Sequence, residues 1–189
     1  MTSNLIKDPN DASGFVVLAD YIPQIVQEIR YHSSYNFVGE RVDGYEEPCA
    51  LLTKEAARAL KGAASEMNAL GYRLKVFDAY RPARAVKHFM LWAIDEDGVR
   101  MKPYFYPELK KQELFDKGGP FDLFSAKSHP DCKDITGGQY ENRMTLQKVM
   151  AANGFAPLDC EWWRFTLADE PYPDTYFDFP VAANSLRGN

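Results

Sequence analysis

The order of apolar and polar residues along the chain predicts helices joined by short strands. The clearest helix begins after Thr53 and carries apolar side chains at helical spacing as far as Gly71. Thr53 is a suitable N-cap, Glu55 lies in the positively polarised first turn, and Gly71 can end the helix as a C-cap. Two further helices are predicted over residues 83–95 and 138–153.

Shorter apolar runs predict strands between these helices. Residues 14–19 are typical of a buried strand, and residues 73–78 alternate apolar and polar side chains as a half-buried strand does. A helical turn is expected over residues 21–28, whose proline lies in the first turn. Residues 31–37 are expected to run from strand into loop, and residues 108–115 to form a short charged helix after an aromatic loop.

Composition narrows the class of protein. A chain of 189 residues with 46% hydrophobic content can bury one substantial core, which predicts a single domain over residues 1–189. The net charge is −5 and no block of Lys or Arg is present, so we do not expect nucleic acid as a partner. No apolar run approaches membrane-spanning length, so we do not expect a membrane either. The N-terminus lacks the features of a signal peptide, and three cysteines without a Cys-x-x-Cys pair favour free thiols in the cytoplasm.

The candidate chemistry lies near the C-terminus, in residues 159–165, whose sequence is DCEWWRF. Trp and Phe usually bury, whereas Glu and Arg are rarely buried unless they are paired. A strand that mixes these residues so closely suggests the wall of a pocket. A half-buried strand whose polar face meets water explains the same pattern equally well.

Two motifs carry a resemblance to a known family. Residues 161–164 (EWWR) resemble the Glu-x-Trp-His signature of the VanX-type, zinc-dependent D-alanyl-D-alanine dipeptidases of the M15 peptidases, and residues 76–82 (VFDAYRP) resemble the strand that delivers the active-site arginine of that family. The resemblance implies an α+β fold of the DD-peptidase/hedgehog-like type, with a central mostly antiparallel sheet flanked by helices. It covers nearly the whole chain, with further matches at residues 36–37 (NF), 119–122 (GPFD), 128–129 (SH) and 172–180 (YPDTYFDFP).

Two departures from the family pattern concern the zinc ion. The family binds zinc through the His and Asp of Ser-x-His-x-x-Gly-x-Ala-x-Asp and through the His that closes Glu-x-Trp-His. Here Arg164 stands at the last of these positions, and a guanidinium has no lone pair to offer a metal. The segment with the other two ligands is missing between Gly118 and Gly119, a gap of roughly 20 residues, or two strands and a turn. We therefore expect no metal site, no cofactor and a sheet that has lost part of its strands.

The surviving residues define a candidate site. By position, Glu161 corresponds to the catalytic glutamate of the family and Arg81 to its oxyanion-stabilising arginine. Without zinc, the pKa of water stays far above neutrality, and a lone carboxylate cannot activate the water usefully for amide hydrolysis. The residues expected to bind a ligand beside these two are Arg164, Trp163, Trp162, Tyr35, Asp78 and Tyr80.

Arg164 has three interpretations. The Glu and His of the family signature both face the zinc although they are three positions apart, which implies a local irregularity through the two tryptophans. If that irregularity is kept, Arg164 can pair with Glu161, or it can join Arg81 in clamping a ligand carboxylate. The third interpretation is that Arg164 turns outward to solvent.

Three functions are compatible with these residues, and they leave open whether the chain is an enzyme. The first is a divergent homologue without the zinc site, which keeps a pocket for a small carboxylate or peptide ligand and is non-hydrolytic or repurposed. The second is a metal-free enzyme with Glu161 as general base beside two arginines. The third is a zinc dipeptidase with relocated ligands, for which the first candidates are His129, Cys132, Asp134 and Glu161. A strand edge exposed by the deletion would need to be covered, reshaped or paired in a homo-oligomer.

Overall fold

A computed structural model of the protein describes residues 7–107, 110–111 and 126–187. These residues form an α+β structure, as predicted. The helices are α1 (Leu18–Tyr21), α2 (Lys54–Ala69), α3 (Ala83–Ile94), α4 (Lys102–Phe105) and α5 (Gly137–Ala152). The strands are β1 (Phe15–Val17), β2 (Val26–Gln27), β3 (Leu51–Thr53), β4 (Lys75–Val76), β5 (Phe155–Leu158) and β6 (Glu161–Leu167). Short 3-10 helices cover Arg30–His32, Ala126–Ser128 and Ala183–Leu186.

The strands of the described residues form three separate two-stranded sheets, where one central sheet was expected. β1 pairs with β3 and β5 with β6, both antiparallel, whereas β2 pairs with β4 in parallel. β1 runs directly into α1 and β3 directly into α2, so both strands end after three residues. β4 ends after two residues, where the chain turns towards α3. Strands this short cannot build a wide sheet.

The three long helices predicted after Thr53, over residues 83–95 and over residues 138–153 are confirmed, together with the caps predicted for the first of them. The Thr53 hydroxyl accepts a hydrogen bond from the backbone N–H of Ala56 at 3.3 Å. α5 begins with a capping box, in which Thr136 and Gln139 each bond the backbone of the other. Gly71 follows the end of α2 with a φ of +85°, a left-handed conformation that favours glycine.

Two predictions for the first forty residues are wrong. Residues 21–28 do not form a helical turn, because α1 lies one turn earlier and β2 takes the following residues. The N–H groups of Val26 and Glu28 donate to the carbonyls of Leu74 and Val76 at 3.0 and 2.9 Å. Residues 31–37 form a 3-10 turn and a loop without a strand, since the buried Asn36 amide bonds five backbone groups around it. The helix expected over residues 108–115 lies outside the described residues, apart from residues 110 and 111.

The buried apolar side chains form one contiguous cluster with two aromatic groups. One group contains Phe15, Tyr80, Phe177 and Phe179, and the other contains Tyr31, Phe37, Phe89 and Trp92. All three cysteines are free thiols, as predicted. Within the described part of the chain, no helix has the length and apolar content that a bilayer crossing requires.

Candidate functional site

Arg81 lies between β4 and α3, in the position predicted for it. Its Nε and Nη2 donate to Oδ2 of Asp78 at 3.1 and 2.7 Å, and the Tyr45 hydroxyl donates to Oδ1 of Asp78 at 2.6 Å. The guanidinium carbon lies 5.2 Å from the ring centres of Tyr31 and Phe89. These contacts fix the side chain and leave Nη1 without a hydrogen-bond partner among the described residues.

The electrostatics of this group keep Arg81 charged. Burial lowers the pKa of Arg81, but the charge and hydrogen bond of Asp78, together with Tyr31 and Tyr45, raise the pKa above its ordinary value. Burial, and after it the charge of Asp78, raises the pKa of Tyr45 well above its usual range. The Tyr45 hydroxyl therefore remains a hydrogen-bond donor to Asp78 at physiological pH.

Glu161 and Arg164 form the ion pair that the sequence suggested. Nη1 of Arg164 donates to Oε1 of Glu161 at 3.3 Å. The Glu161 side chain is only 5% exposed, whereas that of Arg164 is 49% exposed. Arg164 thus neutralises a buried carboxylate while its remaining nitrogens stay accessible to solvent.

An irregularity in β6 allows this pair to form. In the hairpin, Pro157 lies opposite Phe165, but the next residue of β5, Leu158, lies opposite Glu161. The three residues from Trp162 to Arg164 consequently have no counterpart in β5. In a regular strand, side chains three positions apart point to opposite faces. The expected irregularity through the two tryptophans is therefore present, and it turns both charges to one side.

Tyr31 contacts Arg81 and lies within the electrostatic influence of both charged pairs, and sequence reasoning missed it. Its ring lies beneath the Arg81 guanidinium, and the charges of Arg81, Asp78, Arg164 and Glu161 all act on its hydroxyl. Burial is the largest effect and raises the pKa of Tyr31, so the hydroxyl stays protonated. No hydrogen bond joins this hydroxyl to another of the described residues. The feature of the sequence that could have pointed to Tyr31 is its place in the aromatic run of residues 31–37.

The two tryptophans lie beside the pair, supported by α5. Their rings are perpendicular, with centres 5.5 Å apart. The Arg143 guanidinium lies 4.8 Å from the Trp162 ring centre, and the Gln147 amide donates to the Trp162 carbonyl at 3.3 Å. α5 therefore holds the irregular part of β6 in place.

Tyr35 and Tyr80 are further removed from these charges. The Tyr35 ring packs against Phe105 and the Arg30 guanidinium, with its side chain more than half exposed. Tyr80 stacks on Phe179 in the core and donates its hydroxyl to the Phe179 carbonyl at 2.9 Å. No hydrogen bond or ring contact connects either tyrosine to Arg81 or Glu161, so a part in ligand binding stays a prediction for both.

Within the described ranges, no three His, Cys, Asp or Glu side chains come together in a group that could hold a metal ion. His129, Cys132, Asp134 and Glu161, suggested above for a relocated zinc site, are all described and form no such group. His88 is held by Glu40 and Asp43, whose carboxylates lie 3.2 and 3.4 Å from its ring nitrogens.

An open depression of about 560 Å³ lies at the start of α5, apart from the charged cluster. Neither Arg81, Glu161 nor Arg164 lines it, and its basic residues are solvent-exposed or engaged in local contacts. We place the candidate site at the charged cluster, because that is where buried charges meet unpaired donors. The lining residues of the depression are Lys127, Lys133, Asp134, Ile135, Thr136, Gln139 and Arg143.

Comparison with known proteins agrees with the resemblance. The Peptidase M15 family model, described as D-ala-D-ala dipeptidase, matches residues 11–114 and 102–182. A D-alanyl-D-alanine dipeptidase of Streptomyces coelicolor is 35% identical over 196 residues, covering 86% of this chain and 97% of that protein. The protein of the same name from Enterococcus faecalis is 34% identical over 200 residues, covering 90% and 99%. One from Escherichia coli is 28% identical over 171 residues, covering 84% and 86%. The chain therefore belongs to the D-Ala-D-Ala dipeptidase family of M15 peptidases.

Proposed function

We propose that the protein binds a small peptide-like ligand with a free carboxylate at the cluster of Arg81, Tyr31, Glu161 and Arg164, and that it does not hydrolyse this ligand through zinc. The observation that carries the proposal is the set of polar atoms there that have no hydrogen-bond partner among the described residues. They are Nη1 of Arg81, the Tyr31 hydroxyl, Oε2 of Glu161 and two nitrogens of Arg164. The donors suit a carboxylate, and the free oxygen of Glu161 suits an ammonium group.

The ligand class follows from the chemistry of the cluster and from the names of the relatives. A short peptide carries a carboxylate at one end and an ammonium at the other, in the combination that these groups complement. The relatives are named D-alanyl-D-alanine dipeptidases, so D-alanyl-D-alanine is the first ligand to test. Without hydrolysis, the protein would act as a binding or sensing relative of the enzymes.

The donor set at the cluster does not fit a zinc ion. Arg164 occupies the position of the third ligand, and its guanidinium already pairs with Glu161. Asp78 is engaged by Arg81 and Tyr45 on both of its oxygens. The three histidines lie in the described part of the chain, and there none of them forms a hydrogen bond or ion pair with any of these residues. The proposed binding therefore relies on the arginines, the tyrosine and the glutamate alone.

We further propose that the fold is the DD-peptidase/hedgehog-like fold with part of its sheet deleted. The family model matches the chain in two segments. The Streptomyces alignment runs over 196 positions, while 86% of 189 residues is about 163, so about 33 positions have no residue here. Among the described strands, β4 pairs only with β2 and β6 only with β5. These observations support the loss of strands between the two charged pairs.

Calorimetry with D-alanyl-D-alanine and with its C-terminal amide tests the proposal. We expect the free acid to bind and the amide to bind roughly 10- to 100-fold more weakly, because hydrogen bonds to a charged group contribute about 1.5–3 kcal/mol. Arg164→Leu should weaken binding of the acid towards that of the amide. Arg58→Leu is the matched control, since Arg58 is exposed on α2 and has no part in the cluster.

The fate of the ligand and the metal content separate the alternatives. We expect D-alanyl-D-alanine to be recovered unchanged and the purified protein to hold no stoichiometric zinc. Cleavage that persists in chelator would instead favour a metal-free enzyme with Glu161 as general base. About one zinc per chain with chelator-sensitive cleavage would overturn the proposal in favour of relocated ligands. Equal affinity for acid and amide, or no binding, would refute the carboxylate site.

A further inference from the structure

The outward face of α3 is apolar. Val86, Met90 and Ile94 follow one another at intervals of four, so they lie along one line of the helix, and Leu91 lies beside them. Their exposed fractions are 44, 61, 73 and 54%. The inward face of the same helix packs into the core through Ala85, Phe89, Trp92 and Ala93. A helix that is apolar on both sides is expected to be covered on both sides.

The charges at the two ends of this face differ in sign. Lys87 is exposed in the second turn of α3, and Asp95, Glu96 and Asp97 follow the last turn. Among the described residues, neither Lys87 nor Glu96 has an ion-pair partner. Acidic groups at the C-terminal end of a helix are unfavourable, because that end of the helix dipole is negative. Lys111 already lies 4.0 Å from the Asp95 carboxylate, so a further cation would chiefly relieve the repulsion at Glu96 and Asp97.

We propose that the α3 face, defined by Val86, Lys87, Met90, Leu91 and Ile94, binds the same face of a second copy of this chain. The two helices would run antiparallel about a twofold axis near Leu91. A twofold contact joins identical surfaces, so it requires a patch that complements itself.

The α3 face meets this requirement in both shape and charge. In the antiparallel arrangement, the four apolar side chains of one chain face the same four side chains of the other chain. It also sets Lys87 of each chain opposite the acidic residues 95–97 of the other. The contact forms two equivalent ion pairs and covers the exposed apolar side chains. A parallel arrangement would cover the apolar side chains but would not form the ion pairs. The contact does not involve Glu161 or Arg164, so it stands or falls independently of the proposed ligand.

Sedimentation of the full chain over about 1 to 100 µM tests the contact. We expect the mass to rise with concentration from the 21.5 kDa of one chain towards twice that value. Leu91→Glu should weaken the dimer by about tenfold or more, because it places a like-charged pair at the twofold axis. Leu70→Glu is the matched control: Leu70 is 56% exposed, lies at the end of α2 and should leave the dimer intact.

A charge reversal tests the orientation of the two helices. Lys87→Glu and Glu96→Lys should each weaken the dimer, and the double variant should restore it, because the two ion pairs re-form with reversed signs. Circular dichroism confirms that each variant is folded. A mass of one chain at every concentration, or equal effects of Leu91→Glu and Leu70→Glu, would overturn the proposal. The proposal would also be overturned if the double variant dimerised more weakly than both single variants.

Discussion

Replacing Arg164 with leucine should destabilise the protein more than replacing Glu161 with glutamine, although both changes remove the same ion pair. The reason is the unequal burial of the partners, since the Glu161 side chain is 5% exposed and that of Arg164 is 49% exposed. Leucine would leave a buried carboxylate alone. Glutamine would leave a guanidinium that water can still solvate.

The expected magnitudes follow from that exposure. Breaking a fully buried ion pair costs about 3–5 kcal/mol, whereas exposed pairs contribute about 0–1 kcal/mol. Because half of Arg164 already contacts water, we expect Arg164→Leu to cost about 2 kcal/mol of unfolding free energy. Glu161→Gln should cost less than about 1 kcal/mol. In a chain of this size, a loss of about 2 kcal/mol lowers the Tm by about 4–8 °C.

Urea unfolding of the wild type, the two single variants and the double variant measures these costs. The double variant should recover part of the stability lost in Arg164→Leu, because an uncharged glutamine no longer needs a cation. Glu28 and Lys75 provide the control pair, with side chains 40% and 46% exposed and 2.7 Å apart. Glu28→Gln and Lys75→Leu should each lower the unfolding free energy by a similar, small amount. Equal costs for Arg164→Leu and Glu161→Gln, with additive effects in the double variant, would refute the reasoning.

Three further measurements address other parts of the structure. Tyr45→Phe removes the donor to Asp78 that helps to fix Arg81, so calorimetry should show roughly three- to tenfold weaker binding of D-alanyl-D-alanine. Thr136→Ala removes the capping box of α5 and should lower the unfolding free energy by about 1 kcal/mol in urea, with ligand affinity unchanged. Burial raises the pKa of the Cys49 thiol to about 11, so in a Cys132→Ser/Cys160→Ser variant its alkylation rate should rise about tenfold per pH unit from pH 7 to 10. A rate that levels off near pH 8 would contradict this pKa.

The sequence by itself determined the features that depend on near neighbours. The helices α2, α3 and α5 lie within one or two residues of their predicted bounds, because apolar spacing and capping residues act within about one turn. The pair of Glu161 and Arg164 was one of the interpretations that the sequence left open, and the irregularity between them was what the family resemblance implied. The family resemblance rested on the same short motifs.

Only the tertiary structure decided which distant residues contact one another at the candidate site. Tyr45 reaches Asp78 across 33 positions, and Tyr31 lies beneath Arg81 although 50 positions separate them. The parallel pairing of β2 with β4 likewise joins segments about 49 residues apart, and without β4 the sequence around Val26 favours no strand. Local patterns carry no information about such partners, because a strand of two residues and a buried hydroxyl are stabilised by groups elsewhere in the chain. The charged cluster is therefore a product of packing, in which Tyr31 and Tyr45 join the proposed site that the motifs only outlined.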